Sequence, residues 1–122
     1  MTVAGTVVWT RVCALAELIP ERGVPALVGG EAVALFLLDD GKVHAVGHHD
    51  PFSNANVMAR GIVGSVGDGD SYHDTVASPM YKQVFDLATG QCLTEPGHSL
   101  PVWPVRIVDG QVEVGRHQGG SP

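Results

Sequence analysis

The sequence predicts an all-β protein, an antiparallel β sandwich with short hairpins and at most one short helix. Its apolar segments are short and bounded by turn residues, and its 122 residues include 16 Gly and 8 Pro. No segment repeats apolar residues at helical spacing for more than about two turns. A chain of this length has room for one domain. We therefore expect a single domain over residues 1–115 and a flexible C-terminal tail over residues 116–122.

The first elements are predicted near the N-terminus. Residues 6–12 have the composition of a strand, and residues 14–20 place apolar side chains at helix-like spacing before Pro20. We expect one or two helical turns there.

A first hairpin is predicted over residues 31–46, where two apolar segments flank Asp39, Asp40 and Gly41. A two-residue turn at Asp40-Gly41 is favoured because Asp-Gly is a common hairpin turn. Residues paired by that turn are complementary in charge or apolar character: Asp39 with Lys42, Phe36 with Ala45, and Leu38 with Val43.

A second hairpin is predicted at the C-terminal end, with Asp109-Gly110 as its turn. Its expected pairs are again complementary: Arg106 with Glu113, Ile107 with Val112, and Val105 with Val114. Shorter strands are expected over residues 62–66, 75–77 and 83–87, the last followed by a turn over residues 88–90.

Composition excludes several classes of function. The formal net charge of -6 and the lack of any Lys and Arg cluster argue against nucleic-acid partners. The longest apolar run, residues 32–38, is too short to span a membrane, and the N-terminus has no basic leader, so we expect a cytoplasmic protein. Cys13 and Cys92 form no metal or redox motif and are expected to be buried free thiols.

Two loop-like segments, residues 47–61 and 77–90, contain most of the residue types that could support chemistry. In each, a small polar residue precedes a proline, so Asp50 and Ser78 are expected to have extended backbone. This pattern indicates two rigid loops that face each other.

The second segment resembles the second cluster-binding box of Rieske proteins, which reads Cys-Pro-x-His-Gly-x-x-Phe-Asp-Leu-x-Thr-Gly. The matching residues are Pro79, Phe85, Asp86, Leu87, Thr89 and Gly90. Ser78 takes the place of the cysteine and Tyr81 that of the histidine. In the first box, Cys-x-His, the best placement puts Asp50 at the cysteine and Phe52 at the histidine, with one residue of slack before Gly61.

All four ligand positions are therefore altered. A Rieske cluster needs two thiolates on one iron and two imidazoles on the other, so we expect no cluster in this chain. The remaining motifs resemble the cluster-free small subunit of the cytoplasmic NADH-dependent nitrite reductase of nitrate assimilation: Asp-Pro-Phe-Ser at 50–53, Arg-Gly-Ile-Val-Gly at 60–64 and Ser-Pro-x-Tyr-Lys-Gln at 78–83. This resemblance implies a Rieske-like sandwich.

The resemblance also implies that catalysis lies in a partner. A large subunit with FAD, siroheme and an iron-sulfur cluster would reduce nitrite to ammonium, and this chain would have no cofactor, no metal and no catalytic residue. Pro51, Arg60 and Lys82 are the residues expected to contact that subunit, because loops on a rigid sandwich often form binding surfaces.

Two alternatives remain open: a Rieske-type electron-transfer protein and a small β-fold metal-binding protein. His48, His49 and Asp50 are the most metal-like group, but adjacent side chains of an extended strand point in opposite directions. Phe52 and Tyr81 suggest a further hypothesis, that aromatic packing and the Tyr81 hydroxyl hold the two loops together in place of a metal.

Overall fold

The computed structural model describes residues 6–67, 72–95 and 97–118. Within these ranges the chain forms short strands and two 3-10 turns, Leu15–Glu17 and Met58–Arg60. The strands are β1 (Thr6–Ala14), β2 (Gly23–Val28), β3 (Glu31–Leu37), β4 (Val43–Gly47), β5 (His49–Asp50), β6 (Ala55–Asn56), β7 (Ile62–Val66), β8 (His73–Ala77), β9 (Val84–Asp86), β10 (Val102–Trp103), β11 (Val105–Val108) and β12 (Gln111–Gln118). The all-β prediction is confirmed.

The strands form antiparallel sheets. Their orders are β1-β12-β11, β10-β4-β3-β2, β5-β6 and β7-β8-β9. No helix within the described ranges is long and apolar enough to cross a membrane.

The sheet β10-β4-β3-β2 is the middle layer of the molecule. Val33 and Leu35 of β3 pack in one hydrophobic cluster with Val114 of β12, whereas Ala34 and Phe36 pack in a second cluster with Val76 and Phe85 of the sheet β7-β8-β9. Successive side chains of a strand point to opposite faces. Because both faces of β3 are buried, its sequence is a continuous apolar run instead of an alternating one.

The middle layer also positions the two loops. β4 runs directly into the loop that contains β5, β6 and the turn Met58–Arg60, and the loop over residues 78–83 joins β8 to β9. The first loop lies on the side of the second cluster, since Met58 belongs to that cluster and Phe52 packs against it.

The predicted C-terminal hairpin is correct in every pair. Val105, Arg106 and Ile107 of β11 pair with Val114, Glu113 and Val112 of β12. Asp109 and Gly110 have φ of 52° and 75°. A positive φ at both central residues is the signature of the type I′ turn that matches the twist of a hairpin.

The predicted register of the β3–β4 hairpin is wrong by one residue. Phe36 pairs with His44 and Leu35 with Ala45, and the Leu38 N–H donates to the Lys42 carbonyl oxygen at 2.9 Å. The connection is therefore a three-residue loop over 39–41. Gly41 has φ of 88°, which is the left-handed position that ends such a loop.

The shorter strand predictions are largely confirmed. β7 covers residues 62–66 as expected, β8 extends the predicted 75–77 back to His73, and β9 is the central part of residues 83–87. The helical segment expected over residues 14–20 is only the turn Leu15–Glu17. β2 is an additional strand at the edge of its sheet, where its Pro25 is tolerated.

The predicted tail boundary needs correction. β12 continues to Gln118, and Arg116 pairs with Val8 of β1. Residues 116–118 therefore belong to the sheet, because the N-terminal strand offers them backbone partners. Residues 119–122 of the predicted tail, like the first residues of the N-terminus, lie outside the described ranges.

Candidate functional site

The first loop is built around a tight turn over residues 50–54. The Asn54 N–H donates to the Asp50 carbonyl oxygen at 2.8 Å, and the Phe52 N–H donates to Asp50 Oδ1 at 2.9 Å. Asn54 closes the turn with φ of 59°, a conformation that asparagine tolerates better than most residues. Pro51 follows Asp50 and restricts its backbone, as expected from the sequence.

The second loop repeats the same turn over residues 78–82. The Lys82 N–H donates to the Ser78 carbonyl oxygen at 3.0 Å, and the Met80 N–H donates to Ser78 Oγ at 3.3 Å. Lys82 has φ of 61°. In both loops, therefore, a polar residue before a proline accepts one backbone N–H on its side chain and another on its carbonyl.

The side chains that begin the two turns meet. Ser78 Oγ donates to Asp50 Oδ2 at 2.5 Å, and both residues are buried. Ser53 Oγ donates to the same carboxylate oxygen at 3.0 Å from within the first turn. The structure thus brings together the two positions that the sequence aligns with the cluster cysteines, and it joins them by a hydrogen bond.

Hydrogen bonds to the Asp50 side chain favour its ionised form. Burial by itself would raise the pKa of this carboxyl group, but the donors on Ser78, Phe52 and Ser53 stabilise the ionised form and lower the pKa below its ordinary value. Asp50 is therefore a buried carboxylate held by uncharged donors.

The two positions aligned with the cluster histidines do not meet as hypothesised. Phe52 packs against the core, with its ring centroid 6.2 Å from that of Phe85 and 4.5 Å from that of His98. Tyr81 is 62% exposed. The hypothesis that Tyr81 closes the loops by aromatic packing is therefore wrong, because its position in the turn directs it away from the core.

His48 and His49 have separate local partners. The Ala59 N–H donates to His48 Nδ1 at 3.1 Å, and burial together with the nearby Arg60 guanidinium lowers the pKa of His48. His49 is exposed, with Nδ1 3.1 Å from Asn56 Oδ1. Among the described residues, no three His, Cys, Asp or Glu side chains are grouped so that they could hold a metal ion.

The residues predicted to contact a partner are all on the surface of the two loops. Pro51, Arg60 and Lys82 are exposed. Next to Lys82, the exposed fraction is 53% for Met80 and 62% for Tyr81. The turn over residues 78–82 therefore exposes apolar and basic side chains next to each other.

The residues present do not fit a Rieske cluster. The fold implies a group that needs two thiolates and two imidazoles, whereas the two facing positions hold a carboxylate and a hydroxyl that already bond to each other. Cys92 is buried in the core and Cys13 lies on β1, paired with Val112. Neither cysteine belongs to the two loops.

Sequence reasoning missed three parts of this site. It assigned no role to Ser53 or His98, and it did not foresee that Ser78 would donate to Asp50. A small polar residue followed by proline does predict a side-chain-stabilised turn, so the local part of the pattern was available. The contact between the loops depends on tertiary packing.

Comparisons with known proteins agree with this geometry. A family model described as a Rieske-like [2Fe-2S] domain matches residues 8–115. The nitrite reductase (NADH) small subunit of Salmonella typhimurium is 36% identical over 107 residues, which cover 87% of this chain and 95% of that protein.

A solved structure gives the same result. The crystal structure described as the NADH-dependent nitrite reductase small subunit of Mycobacterium tuberculosis superposes with a TM-score of 0.82 at 51% identity and covers 91% of this chain and 96% of that one. The nitrite reductase [NAD(P)H] large subunit of Klebsiella oxytoca is 34% identical over 110 residues, 90% of this chain but 11% of that protein. The predicted Rieske-like fold is confirmed.

Proposed function

The chain belongs to the Rieske-like [2Fe-2S] domain family and, within it, to the small subunits of NADH-dependent nitrite reductase, and from this membership we propose that it is the non-catalytic small subunit of a cytoplasmic NAD(P)H-dependent nitrite reductase. The complex would reduce nitrite to ammonium in nitrate assimilation. The observation that carries the proposal is the Asp50–Ser78 hydrogen bond, because it occupies the two positions where an electron carrier of this fold needs thiolates.

The relative from Klebsiella oxytoca supports a direct association with the catalytic chain. There, a domain similar to this one is a part of the nitrite reductase large subunit. A domain that is covalently joined in one protein and separate in another is expected to occupy the same place in the assembled enzyme. We therefore take the large subunit as the partner.

The docking surface is proposed to include Pro51, Arg60 and Lys82. These residues are exposed on the two loops, and Met80 and Tyr81 add exposed apolar area beside Lys82. Interfaces are enriched in aromatic residues, Met and Arg at their centres. The basic groups would suit an acidic patch on the large subunit, since complementary charges guide association.

Within this proposal, the chemistry resides in the large subunit. FAD, siroheme and an iron-sulfur cluster would be bound there, and no cofactor would be bound by this chain. The small subunit would act by contact, through the surface that it presents to its partner.

Co-expression tests the proposal. The chain is produced with and without the large subunit of the same organism, the complex is purified through a tag on the large subunit, and NAD(P)H-dependent nitrite reduction is measured with and without the small chain. We expect co-purification and higher activity of the two-chain complex. No association, together with equal activity, would contradict the proposal.

A further inference from the structure

We propose that Asp50 is a positioning residue that holds the two loops in their relative placement through the hydrogen bond from Ser78, at the place where the resembling cluster-bearing proteins have two metal-bound cysteines. The bond joins the turn over residues 50–54 to the turn over residues 78–82. A carboxylate and a hydroxyl thus perform the mechanical role of a metal clip without metal or redox chemistry.

The topology explains why a clip is needed. Among the described strands, β5 and β6 form a two-stranded sheet of their own, and the second loop joins β8 to β9 within the separate sheet β7-β8-β9. Among the backbone hydrogen bonds of the described residues, none joins the turn over 50–54 to the turn over 78–82. The side chains of Asp50 and Ser78 provide the polar connection between them.

The chemistry of the contact makes it effective. Hydrogen bonds to a charged acceptor are stronger than neutral ones, and Asp50 is 0% exposed and Ser78 1% exposed, so water competes little for the same groups. Loss of such a bond changes a local opening equilibrium by roughly tenfold or more. Asp50 and Ser78 each also stabilise their own turn, which makes each turn depend on the other.

Ser53 provides a matched control within the chain. Its hydroxyl donates to the same Asp50 Oδ2, at 3.0 Å compared with 2.5 Å for Ser78, but it lies in the same turn as Asp50. Each of the substitutions Ser53→Ala and Ser78→Ala therefore removes one hydroxyl donor from the same oxygen atom, Asp50 Oδ2. Only the second substitution cuts the connection between the loops.

Amide hydrogen exchange of the isolated full chain tests the inference. Ser78→Ala is expected to increase exchange about tenfold in both turns, including at the amides of Phe52 and Asn54. Ser53→Ala is expected to increase exchange in the turn over 50–54 and to leave the amide of Lys82 unchanged. If Ser78→Ala affects only residues 78–83, the two loops are not coupled and the inference is overturned.

A second variant, with a check of the core, distinguishes the loss of the loop contact from a general loss of structure. Asp50→Ala removes both carboxylate oxygens, so Ser78 Oγ has neither an acceptor nor a donor at this position. Circular dichroism and the exchange rates of β3 amides show whether each variant keeps its core. With an intact core, faster exchange at Lys82 in Asp50→Ala supports the inference, and an unchanged rate there contradicts it.

The consequence for docking rests on the proposed function. Ser78→Ala is expected to weaken binding to the large subunit about tenfold, and Ser53→Ala is expected to leave binding close to wild type. If wild type binds and Ser78→Ala binds equally well, the clip does not position the docking loops. If wild type itself does not bind, the proposed function fails, while the exchange result still decides whether the clip exists.

Discussion

At the scale of single residues, Asp50 lies in an environment that is costly for a charged group. It is fully buried, and its donors are two hydroxyls and a backbone N–H. An ionised carboxylate in such a place is stable only if hydrogen bonds replace the water that it loses. The same donors fix the direction of its side chain, so the charge of Asp50 and the geometry of the loops depend on each other.

The charge of Asp50 predicts a specific response to acid. Its pKa is lower in the folded state than the ordinary value of 3.8, so the unfolded state binds the proton more readily. The stability that Asp50 contributes is therefore complete above the ordinary value and is lost as the pH falls through the folded-state pKa. We expect urea unfolding to show a shallower loss of unfolding free energy below about pH 4 for Asp50→Asn than for wild type.

Asp109→Asn is the control for that measurement. It removes one carboxylate from an exposed turn residue whose φ of 52° suits asparagine. This variant shows what the removal of one carboxylate outside the two loops does to the same measurement. Equal slopes for Asp50→Asn and wild type would mean that Asp50 is not held in its charged form by the loops.

Phe52 and Tyr81 are expected to differ sharply in their effect on stability. Phe52 packs against Phe85 and His98, so Phe52→Ala should lower the free energy of unfolding by about 2 to 4 kcal/mol. Tyr81 is 62% exposed, so Tyr81→Ala should change it by less than about 0.5 kcal/mol. Chemical denaturation measures both, and similar losses would contradict the placement of these rings.

At the scale of elements, the two hairpins show where sequence reasoning succeeds. Asp109-Gly110 allows a positive φ at both central residues, and only a two-residue turn satisfies the pairing of Arg106 with Glu113, whose side chains lie 2.7 Å apart. In the β3–β4 hairpin, Asp39, Asp40 and Gly41 suit either a two-residue turn or a three-residue loop. Both faces of β3 are buried, so the apolar pattern does not distinguish the registers.

The turn at Gly110 gives a prediction for element stability. Its φ is 75°, and a Cβ there would meet no atom within 4 Å, so the effect of Gly110→Ala comes from backbone strain alone. We expect a loss of about 1 kcal/mol. Gly64→Ala in β7 is the matched control because Gly64 has no positive φ and a Cβ there would lie at an ordinary 3.6 Å from Thr75 Oγ1.

Thermal or urea unfolding of the two glycine variants provides the comparison. Gly64→Ala should stay within about 0.5 kcal/mol of wild type. If both variants lose the same stability, the left-handed conformation of Gly110 is not the cause.

The candidate site was predictable from the sequence only where its contacts are local. Asp50 and Ser78 each form a local turn with the following proline, and local turns follow from short sequence patterns. That Asp50 and Ser78 bond to each other, and that Tyr81 is exposed while Phe52 is packed, depends on contacts between residues far apart in the chain. Periodicity and spacing contain no information on such contacts.

At the scale of the whole molecule, the basic groups fall into those carried by the two loops and those outside them. The turn before β4 contains Lys42, and the loop after it contains Arg60. Since β4 has five residues, its two ends are separated by about 13 Å. Basic groups near the proposed docking surface can therefore be compared with one that lies away from it.

Charge reversal tests that arrangement. Arg60→Glu and Lys82→Glu are expected to weaken the complex with the large subunit by about tenfold each, mainly through slower association at low salt. Lys42→Glu carries the same change in net charge in the turn before β4, outside the two loops, and should bind as wild type does. Surface plasmon resonance at two salt concentrations measures this, and equal effects of all three variants would indicate a nonspecific charge effect.

The most direct test of the account is the iron and acid-labile sulfide content of the isolated chain, produced anaerobically in cells supplied with iron and sulfur, together with its visible spectrum. Because a carboxylate and a hydroxyl bond to each other where the fold would otherwise bind iron, we predict a colourless protein without stoichiometric iron or sulfide. A brown protein with two irons and two sulfides per chain would contradict the account.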